Sequence, residues 1–511
     1  MFWIVTEGNR VFDRHDGYGR LKSYDDFAKE GVTFTDAIAS ATSTLMSTSS
    51  MFTGRFSYEL YYAHSAMKDF KHDSYLTALE KKGYSVHGTF FCKEGHTFYN
   101  KALNIRDKKD EHKSGNAVVW DSFMGIMEKQ FNNNGPNFVY LHLGPYSDQE
   151  DYLKKVRQYL IDKGLYEESF VIYSSDHGYT DYGDTHAVGW LKHPRNHSFY
   201  VSEDCYAANL LMCLPNGENS GKKIDAQVGL FDVFETVFDY MGLKYSALNK
   251  KAVSLKKLID KTDEGTLRSM NDRKIRIDNR YIAQNQRMTI IRNKNYELMI
   301  AGTKYTLFKR VKNTDWEKRL VKVSIAKNKL IFKDFLRFYK KTNTEAKKTT
   351  LSVLAEDFKG TALEKVITPM KNKHIAVFNY SSSHVLKFLI KLMKKENVVD
   401  VVDKRTLKRN YKKYDYVFAL SNNKFNYSLN SIVKFCNTKN IKLLMYNLSM
   451  CEVSYKKHNL ITYPYTSDTM AYIGKNPIES ALIYLVYFLL QSIDLYHLKT
   501  NKENYLPVTS F

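Results

Sequence analysis

The sequence predicts an α/β protein. A mostly parallel sheet sandwiched by helices carries a small antiparallel subdomain at its C-terminal side, and a second, small α/β domain follows. Three observations predict this. Short apolar runs alternate with amphipathic stretches over residues 1–262. Over 263–345 the pattern changes to apolar–polar alternation broken by turn signals. After a basic, polar stretch at 346–371 that reads as a linker, strand–helix alternation resumes over 372–511.

The chain opens directly in a strand, "FWIV", which "TEGNR" ends. A helical stretch follows in "KSYDDFAKEG", with Gly31 as its stop signal. "VTFTDAIA" reads as a strand. The next stretch is unusual: nine of the fourteen residues from Ser40 to Thr53 carry a hydroxyl. It ends at Gly54, a helix-end signal, so a helix starting near Leu45 or Met46 is expected there instead of a flexible linker. "DSYLTALEKKG", "NAVVWDSFMGIMEKQFNN" and "DYLKKVRQYLIDKG" read as helices, and "YSVHGTFF", "NFVYLHL" and "SFVIYSS" as the strands between and after them. "RYIAQNQRMTIIRNKNYELMIAGTKYTLFKRV", with turns at "RNKN" and "AGT", reads as an antiparallel meander. In the last domain "HIAVFNY", "VVDVVD", "YDYVFAL" and "IKLLMYNL" read as strands and "SHVLKFLIKLMKKE" as a helix. This is a Rossmann-like order, but without the G-x-G-x-x-G of dinucleotide sites.

Composition narrows the partners. With 511 residues and 43% hydrophobic content, the chain can bury a large core. Seventy-seven Lys and Arg against 55 Asp and Glu leave a net charge of +22, which favours anionic partners. No nucleic-acid module signature is present, so nucleic acid is not expected. The five cysteines are odd in number and fit neither a disulfide framework nor a zinc ribbon, which suggests a reducing compartment. "MFWIVTEGNR" lacks a basic n-region and a long apolar run, so no signal peptide is expected. The most apolar segment, Ile478 to Ile493, has ten uninterrupted apolar residues, short for a bilayer span. The expectation is a cytoplasmic protein without a membrane span, in peripheral contact with the inner membrane face.

Chemistry concentrates at three places. "FVIYSSDHGYTDYGDTH" delivers Asp176 and His177 at the carboxyl end of a strand, the edge where open α/β sheets bind ligands. The pair reads either as metal ligands or as a turn with an Asx-type bond. Glu7 lies just past the first strand on the same edge. Arg10 beside it suits an anionic substrate or a carboxylate. In the hydroxyl-rich stretch, the free N–H groups of a helix first turn suit an anion, unless Ser and Thr simply cap the helix.

Together these pieces resemble the alkaline phosphatase/sulfatase superfamily. "VTFTDAIASATSTLMSTSSMFTGRF" is similar to its nucleophile segment, ending in Thr-Gly-Arg. "SSDHG" is similar to its metal-binding motif, "AQVGLFDVFETVFDYMGL" to its Asp-containing helix, and "YELMIAGTKYTLFKRVKNTDWEK" to the C-terminal hairpin of sulfatases. The resemblance covers about residues 1–330 and implies a sulfatase-like catalytic domain. It places the nucleophile on Thr44 and the metal ligands on Glu7, Thr44, Asp176 and His177. It gives His197 the role of leaving-group acid or substrate binder. His142 after the strand "FVYL" and His186 in "GDTH" are further candidates for substrate binding, as is Arg10, and His142 reads equally as a core or strand-end residue.

Sulfatases need a Cys or Ser that becomes formylglycine. "TLMST" departs from that pattern and looks closer to the lipoteichoic acid synthase and phosphoethanolamine transferase branch, which works through a phosphothreonine. The implied cofactor is one divalent ion (Mn²⁺, Zn²⁺ or Mg²⁺), with a second not excluded. The implied substrate is an anionic phosphate ester, and the implied acceptor a glycan or a lipid-linked glycan precursor, as in cell-surface polysaccharide modification. Two other readings stand beside this one: a sulfatase-like hydrolase or phosphodiesterase, and a non-catalytic binding protein that retains the fold.

Overall fold

A computed structural model describes residues 1–9, 11, 21–57, 74–91, 115–179, 203–246, 250–278, 288–301, 304–311, 320–358, 372–379, 398–421, 435–436, 438–439 and 442–447. The chain divides into two units, Met1–Thr350 and Leu351–Phe511.

The first unit is built on an eight-stranded sheet. Its strands are β1 (Phe2–Thr6), β2 (Val32–Ile38), β3 (Ser85–Phe90), β4 (Asn137–Leu143), β5 (Val171–Ser175), β6 (Ala207–Ala208), β7 (Leu210–Cys213) and β8 (Lys223–Gly229). They run in the order β3-β4-β1-β5-β7-β2-β6, with β8 on the other side of β2. The β3-β4-β1-β5 block is parallel, as is the β2-β8 pair. Only the short β6 and β7 run antiparallel to their neighbours, so the sheet is largely parallel, as expected.

The helices of this layer are α1 (Ser23–Phe27), α2 (Thr44–Thr53), α3 (Tyr75–Lys81), α4 (Asn116–Lys129), α5 (Gln149–Asp162), α6 (Glu203–Tyr206), α7 (Val233–Tyr240), α8 (Lys256–Asp260) and α9 (Glu264–Asp272). Both faces of the sheet are covered, and the two-residue period of β1 shows how. Phe2 and Ile4 pack with Tyr24, Val119, Phe123, Leu153 and Leu160 from α1, α4 and α5. Trp3 and Val5 pack on the other side with Phe52, Leu76, Phe234 and Leu258 from α2, α3, α7 and α8. Strands buried on both faces read as continuous apolar runs, which is why "FWIV" and "FVIY" were legible as strands.

The expected antiparallel subdomain is a separate five-stranded sheet, in the order β13-β12-β11-β10-β9. Its strands are β9 (Ile275–Asp278), β10 (Met288–Arg292), β11 (Tyr296–Ala301), β12 (Lys304–Arg310) and β13 (Leu320–Val323). Ile277, Ile290 and Met299 pack against Ile38, Phe56 and Phe231 of the eight-stranded sheet's layer. Leu298, Ile300 and Leu307 pack under Phe335 of α10 (Lys329–Phe358). That helix runs through the first half of the expected linker: 346–358 is helical, and 359–371 lies outside the described residues. Thr, Glu, Ala and Lys make a polar stretch, but Ala, Glu and Lys are also strong helix formers.

A charged cluster joins the two sheets. Arg292 is fully buried and donates through Nη2 to both oxygens of Asp36 (2.8 and 3.0 Å) and through Nε to Gln227 (3.1 Å). Arg310 Nη2 donates to Glu203 at 2.7 Å. Tyr206 donates to Glu297 at 2.5 Å. Burial pushes the Asp36 carboxyl up, but Arg292, Arg310 and Lys294 outweigh it and hold the group far below the usual range.

The second unit contains a four-stranded parallel sheet of β14 (His374–Asn379), β15 (Val398–Val402), β16 (Tyr416–Ser421) and β17 (Lys442–Asn447), in the order β15-β14-β16-β17. Helix α11 (Lys404–Asn410) follows β15, and its N-cap Asp403 accepts from the Thr406 N–H at 2.7 Å. Among the described residues no helix is long and apolar enough to cross a membrane. The segment from Ile478 to Ile493 lies outside them.

Candidate active site

Three parallel strands and one helix bring the site together. β1, β4 and β5 lie side by side, and the ends of β1 and β5 are in register through Thr6 and Ser175. Glu7 leaves β1 with its N–H bonded to Leu143 O of β4 (2.8 Å). Asp176 and His177 leave β5, with the Asp176 N–H on Thr6 O (3.3 Å). The Gly8 N–H then donates to Asp176 Oδ1 at 2.9 Å, which fixes that carboxylate against the β1 loop. Gly178 must be a glycine: a Cβ there would sit 1.7 Å from the carbonyl oxygen of Asp204.

Helix α2 begins at Thr44, within a residue or two of the expected start. Its N-cap Ser43 is extended and makes no side-chain cap, so the first-turn N–H groups are not capped by it. Of the two readings left open for this helix start, ordinary capping by Ser43 is not the one seen. The other hydroxyls of the stretch turn inward. Thr48 and Ser49 donate to the carbonyls of Thr44 (2.7 Å) and Leu45 (2.5 Å). Thr53 donates to Ser49 O at 2.8 Å. Ser47 donates to the carbonyl of Asp176 at 2.5 Å, tying the helix to the Asp176–His177 loop.

Around this frame the side chains converge. Thr44 Oγ1 donates to Glu7 Oε1 at 2.6 Å and lies 3.2 Å from His177 Nε2. His177 Nε2 is 3.2 Å from Asp176 Oδ2 and 3.5 Å from Glu7 Oε1. His142, from β4, joins them: its Nε2 is 3.1 Å from Glu7 Oε2 and 3.9 Å from Asp176 Oδ2. Glu7, His142, Asp176 and His177 are buried, and Thr44 is the partly exposed member. Arg10, His186 and His197 lie outside the described residues.

The electrostatics are those of an overfilled acidic pocket. Burial pushes Glu7 up, but hydrogen bonds and charge from His142 and His177 outweigh it and hold Glu7 well below the carboxylate range. Burial and the Glu7 charge push Asp176 up to about 6, against the pull of the two histidines. Burial lowers His177, but Asp176 and Glu7 outweigh it and raise the ring to about 9. Glu7 Oε2 and Asp176 Oδ2 are buried without a hydrogen-bond donor in bonding geometry among the described residues.

Two such carboxylate oxygens call for a cation. One ligand atom each from Glu7, His142 and Asp176 lies within 4.8 Å of the others. Oxygen and imidazole donors without a thiolate suit Mn²⁺, Zn²⁺ or Mg²⁺. A divalent metal fits this site.

Two residues of this frame were not visible in the sequence. Tyr140 donates to or accepts from His142 Nδ1 at 3.0 Å, and the i, i+2 spacing on one strand face is the signal that pairs them. Ser47 was one hydroxyl among nine, and nothing local distinguishes it.

Comparison with known proteins agrees with this architecture. The sulfatase family model matches residues 3–145 and 146–243. No curated protein sequence matches. Among solved structures, BT4656 in complex with its substrate D-glucosamine-2-N,6-O-disulfate is 12% identical, with a TM-score of 0.51 over 68% of this chain and 98% of that one. The protein yidJ from Bacteroides fragilis is 13% identical, with a TM-score of 0.51 over 68% and 96%. The lipoteichoic acid synthase LtaP from Listeria monocytogenes is 14% identical, with a TM-score of 0.49 over 69% and 91%. At these identities the first two likenesses speak to the fold alone. The family match over residues 3–243, a little under half of the chain, goes together with the two-faced, largely parallel sheet and its convergent strand ends: this part of the chain is similar to the sulfatase family and shares its fold.

Proposed function

We propose that this chain is a metal-dependent phosphoryl-transfer enzyme that uses Thr44 as nucleophile. It passes a substituted phosphoryl group through a phosphothreonine to a hydroxyl of a glycan or glycan precursor, in the cytoplasm. One observation carries the reading. A threonine stands at the first turn of α2, where the family resemblance puts the nucleophile, partly exposed, with Oγ1 2.6 Å from Glu7 Oε1 and 3.2 Å from His177 Nε2. Threonine cannot become formylglycine, so the sulfatase route is closed at this position, whereas an alkoxide on phosphorus remains open to it.

A divalent ion bound by Glu7, Asp176, His177 and Thr44 would lower the pKa of the threonine hydroxyl and neutralise a non-bridging phosphoryl oxygen. The chain's own groups do the rest. Glu7 Oε1 takes the Thr44 hydrogen bond and so turns an Oγ1 lone pair away from the carboxylate. The first-turn N–H groups of α2 face the same end of the helix and favour an anion there. In the first half-reaction Thr44 Oγ1 loses its proton to solvent, the Oγ1–P bond forms, the P–O bond to the donor alcohol breaks, and that alcohol takes a proton from His197, the role we give this residue. In the second the acceptor oxygen bonds to phosphorus and returns its proton to His197, the P–Oγ1 bond breaks, and Oγ1 regains a proton from solvent. The net charge of +22 suits an anionic donor. The glycan acceptor rests on the resemblance to the lipoteichoic acid synthase and phosphoethanolamine transferase branch.

The test uses an aryl phosphodiester with Mn²⁺, with and without sugar acceptors. Peptide mass analysis should find phosphorylated Thr44, and T44A should lose turnover by at least about 10³-fold while keeping its circular dichroism. Product appearing only with water would make the enzyme a phosphodiesterase. Undiminished turnover by T44A would remove the nucleophile.

A further inference from the structure

His177 and His142 are presented to the carboxylates in the same way from two different strands. Each aims Nε2 inward, His177 at 3.2 Å from Asp176 Oδ2 and His142 at 3.1 Å from Glu7 Oε2. Each is held from behind at Nδ1, His177 by the carbonyl oxygen of Gly178 (2.5 Å) and His142 by the Tyr140 hydroxyl (3.0 Å). Metal-bound imidazoles are held in this manner, with the outer contact fixing both tautomer and ring orientation. When the outer nitrogens Nδ1 carry the protons, both Nε2 lone pairs face the same carboxylate oxygens, an arrangement that a bound cation between them would stabilise. Glu7 supplies the link: Oε1 faces Thr44 and His177, and Oε2 faces His142. His142 Nε2, Glu7 Oε2 and Asp176 Oδ2 form the buried side of the cluster, opposite the partly exposed Thr44.

We infer that His142 is a further metal ligand of this centre, set on its buried side, and that Tyr140 is the positioning residue that orients it. The inference rests on the metal centre proposed for Glu7, Asp176, His177 and Thr44 and adds a second imidazole to it. It also moves His142 from a substrate-binding candidate to the metal. Tyr140 is fully buried among Trp3, Phe52 and Phe90, so its hydroxyl is fixed in place by packing.

The experiment measures Zn²⁺ bound to the full chain by X-ray absorption and by competition with a chelator. Wild type should show two imidazoles per zinc. H142A should show one, with affinity lower by about 100-fold or more. Y140F, which keeps the ring packing, should keep two imidazoles and lose about 10-fold in affinity. Thermal melts of the metal-free proteins check folding, and Y140F serves if H142A does not fold. A single imidazole in a wild type whose zinc is lost on E7Q overturns this inference alone. Zinc bound equally well by E7Q overturns the metal centre and this inference together. Unchanged affinity in both H142A and Y140F overturns the assignment of both residues.

Discussion

Replacing Asp176 by Asn should make the metal-free protein more stable and the metal-bound protein less so. Asp176 is fully buried, and its carboxyl titrates at about 6 instead of 3.8. The folded state therefore binds this proton more tightly than the unfolded chain. Below about pH 4 the group costs nothing. As pH rises through 6 the folded protein must hold a disfavoured charge. The cost is about 1.4 kcal/mol for each pH unit between the unfolded and folded titration points, or roughly 3 kcal/mol in all. His177 acts in the opposite sense: raised to about 9, it contributes stability below pH 6.5 that is lost as pH passes 9, and part of this depends on Asp176. The net gain for D176N in chelator at pH 8 is then about 1–3 kcal/mol, or about 2–8 °C in melting temperature, shrinking toward zero at pH 4. Added Mn²⁺ at 100 times its dissociation constant should restore about 2.7 kcal/mol to the wild type and nothing to the variant. Thermal melts at pH 4, 6 and 8, with chelator or Mn²⁺, read all of this. A D176N variant less stable than wild type in chelator at pH 8, or one stabilised equally by Mn²⁺, would refute the reasoning.

The frame around the site yields two more expected outcomes. G178A drives a methyl to within 1.7 Å of a backbone oxygen that cannot yield as a side chain would, so the loop carrying Asp176 and His177 must shift. Soluble protein with lost metal binding, measured by calorimetry, is the expected result, and wild-type affinity would contradict it. R292M removes the bonds to both oxygens of Asp36 and should cost about 3 kcal/mol in urea unfolding at neutral pH, a cost that shrinks in strong acid, where the wild type also loses the Asp36 charge; a loss below about 1 kcal/mol at neutral pH would show Lys294 and Arg310 to be sufficient.

Much of the fold was legible because its signals are local. Strands such as β1 and β5 are unbroken apolar runs, and each gives way to polar groups at a sheet edge, Glu7 after β1 and Asp176–His177 after β5. Thr44 needed the family resemblance, since its eight neighbouring hydroxyls look alike in sequence. His142 was harder to place: within "NFVYLHL" a histidine reads as one more residue of a buried strand, and only the register of β4 beside β1 puts it on Glu7. The Arg292–Asp36 pair spans 256 residues and leaves no periodic trace. The short antiparallel strands β6 and β7 went unread because two to four residues are too few to establish a pattern. The helix through 346–358 was hidden by its polarity.

The composition of α2 bears on when the enzyme becomes able to react. Six of its ten residues are Ser or Thr, poor helix formers, and Thr48, Ser49 and Thr53 spend their hydroxyls on carbonyls one turn back. Such a segment does not hold a helix alone and takes its shape from Met51 and Phe52 docking into the finished core. During synthesis Thr44, the proposed nucleophile, is therefore an ordinary hydroxyl on a coil until β5, more than a hundred residues downstream, has joined the sheet. Reactivity arrives with the completed fold, and a half-made chain has none to misuse.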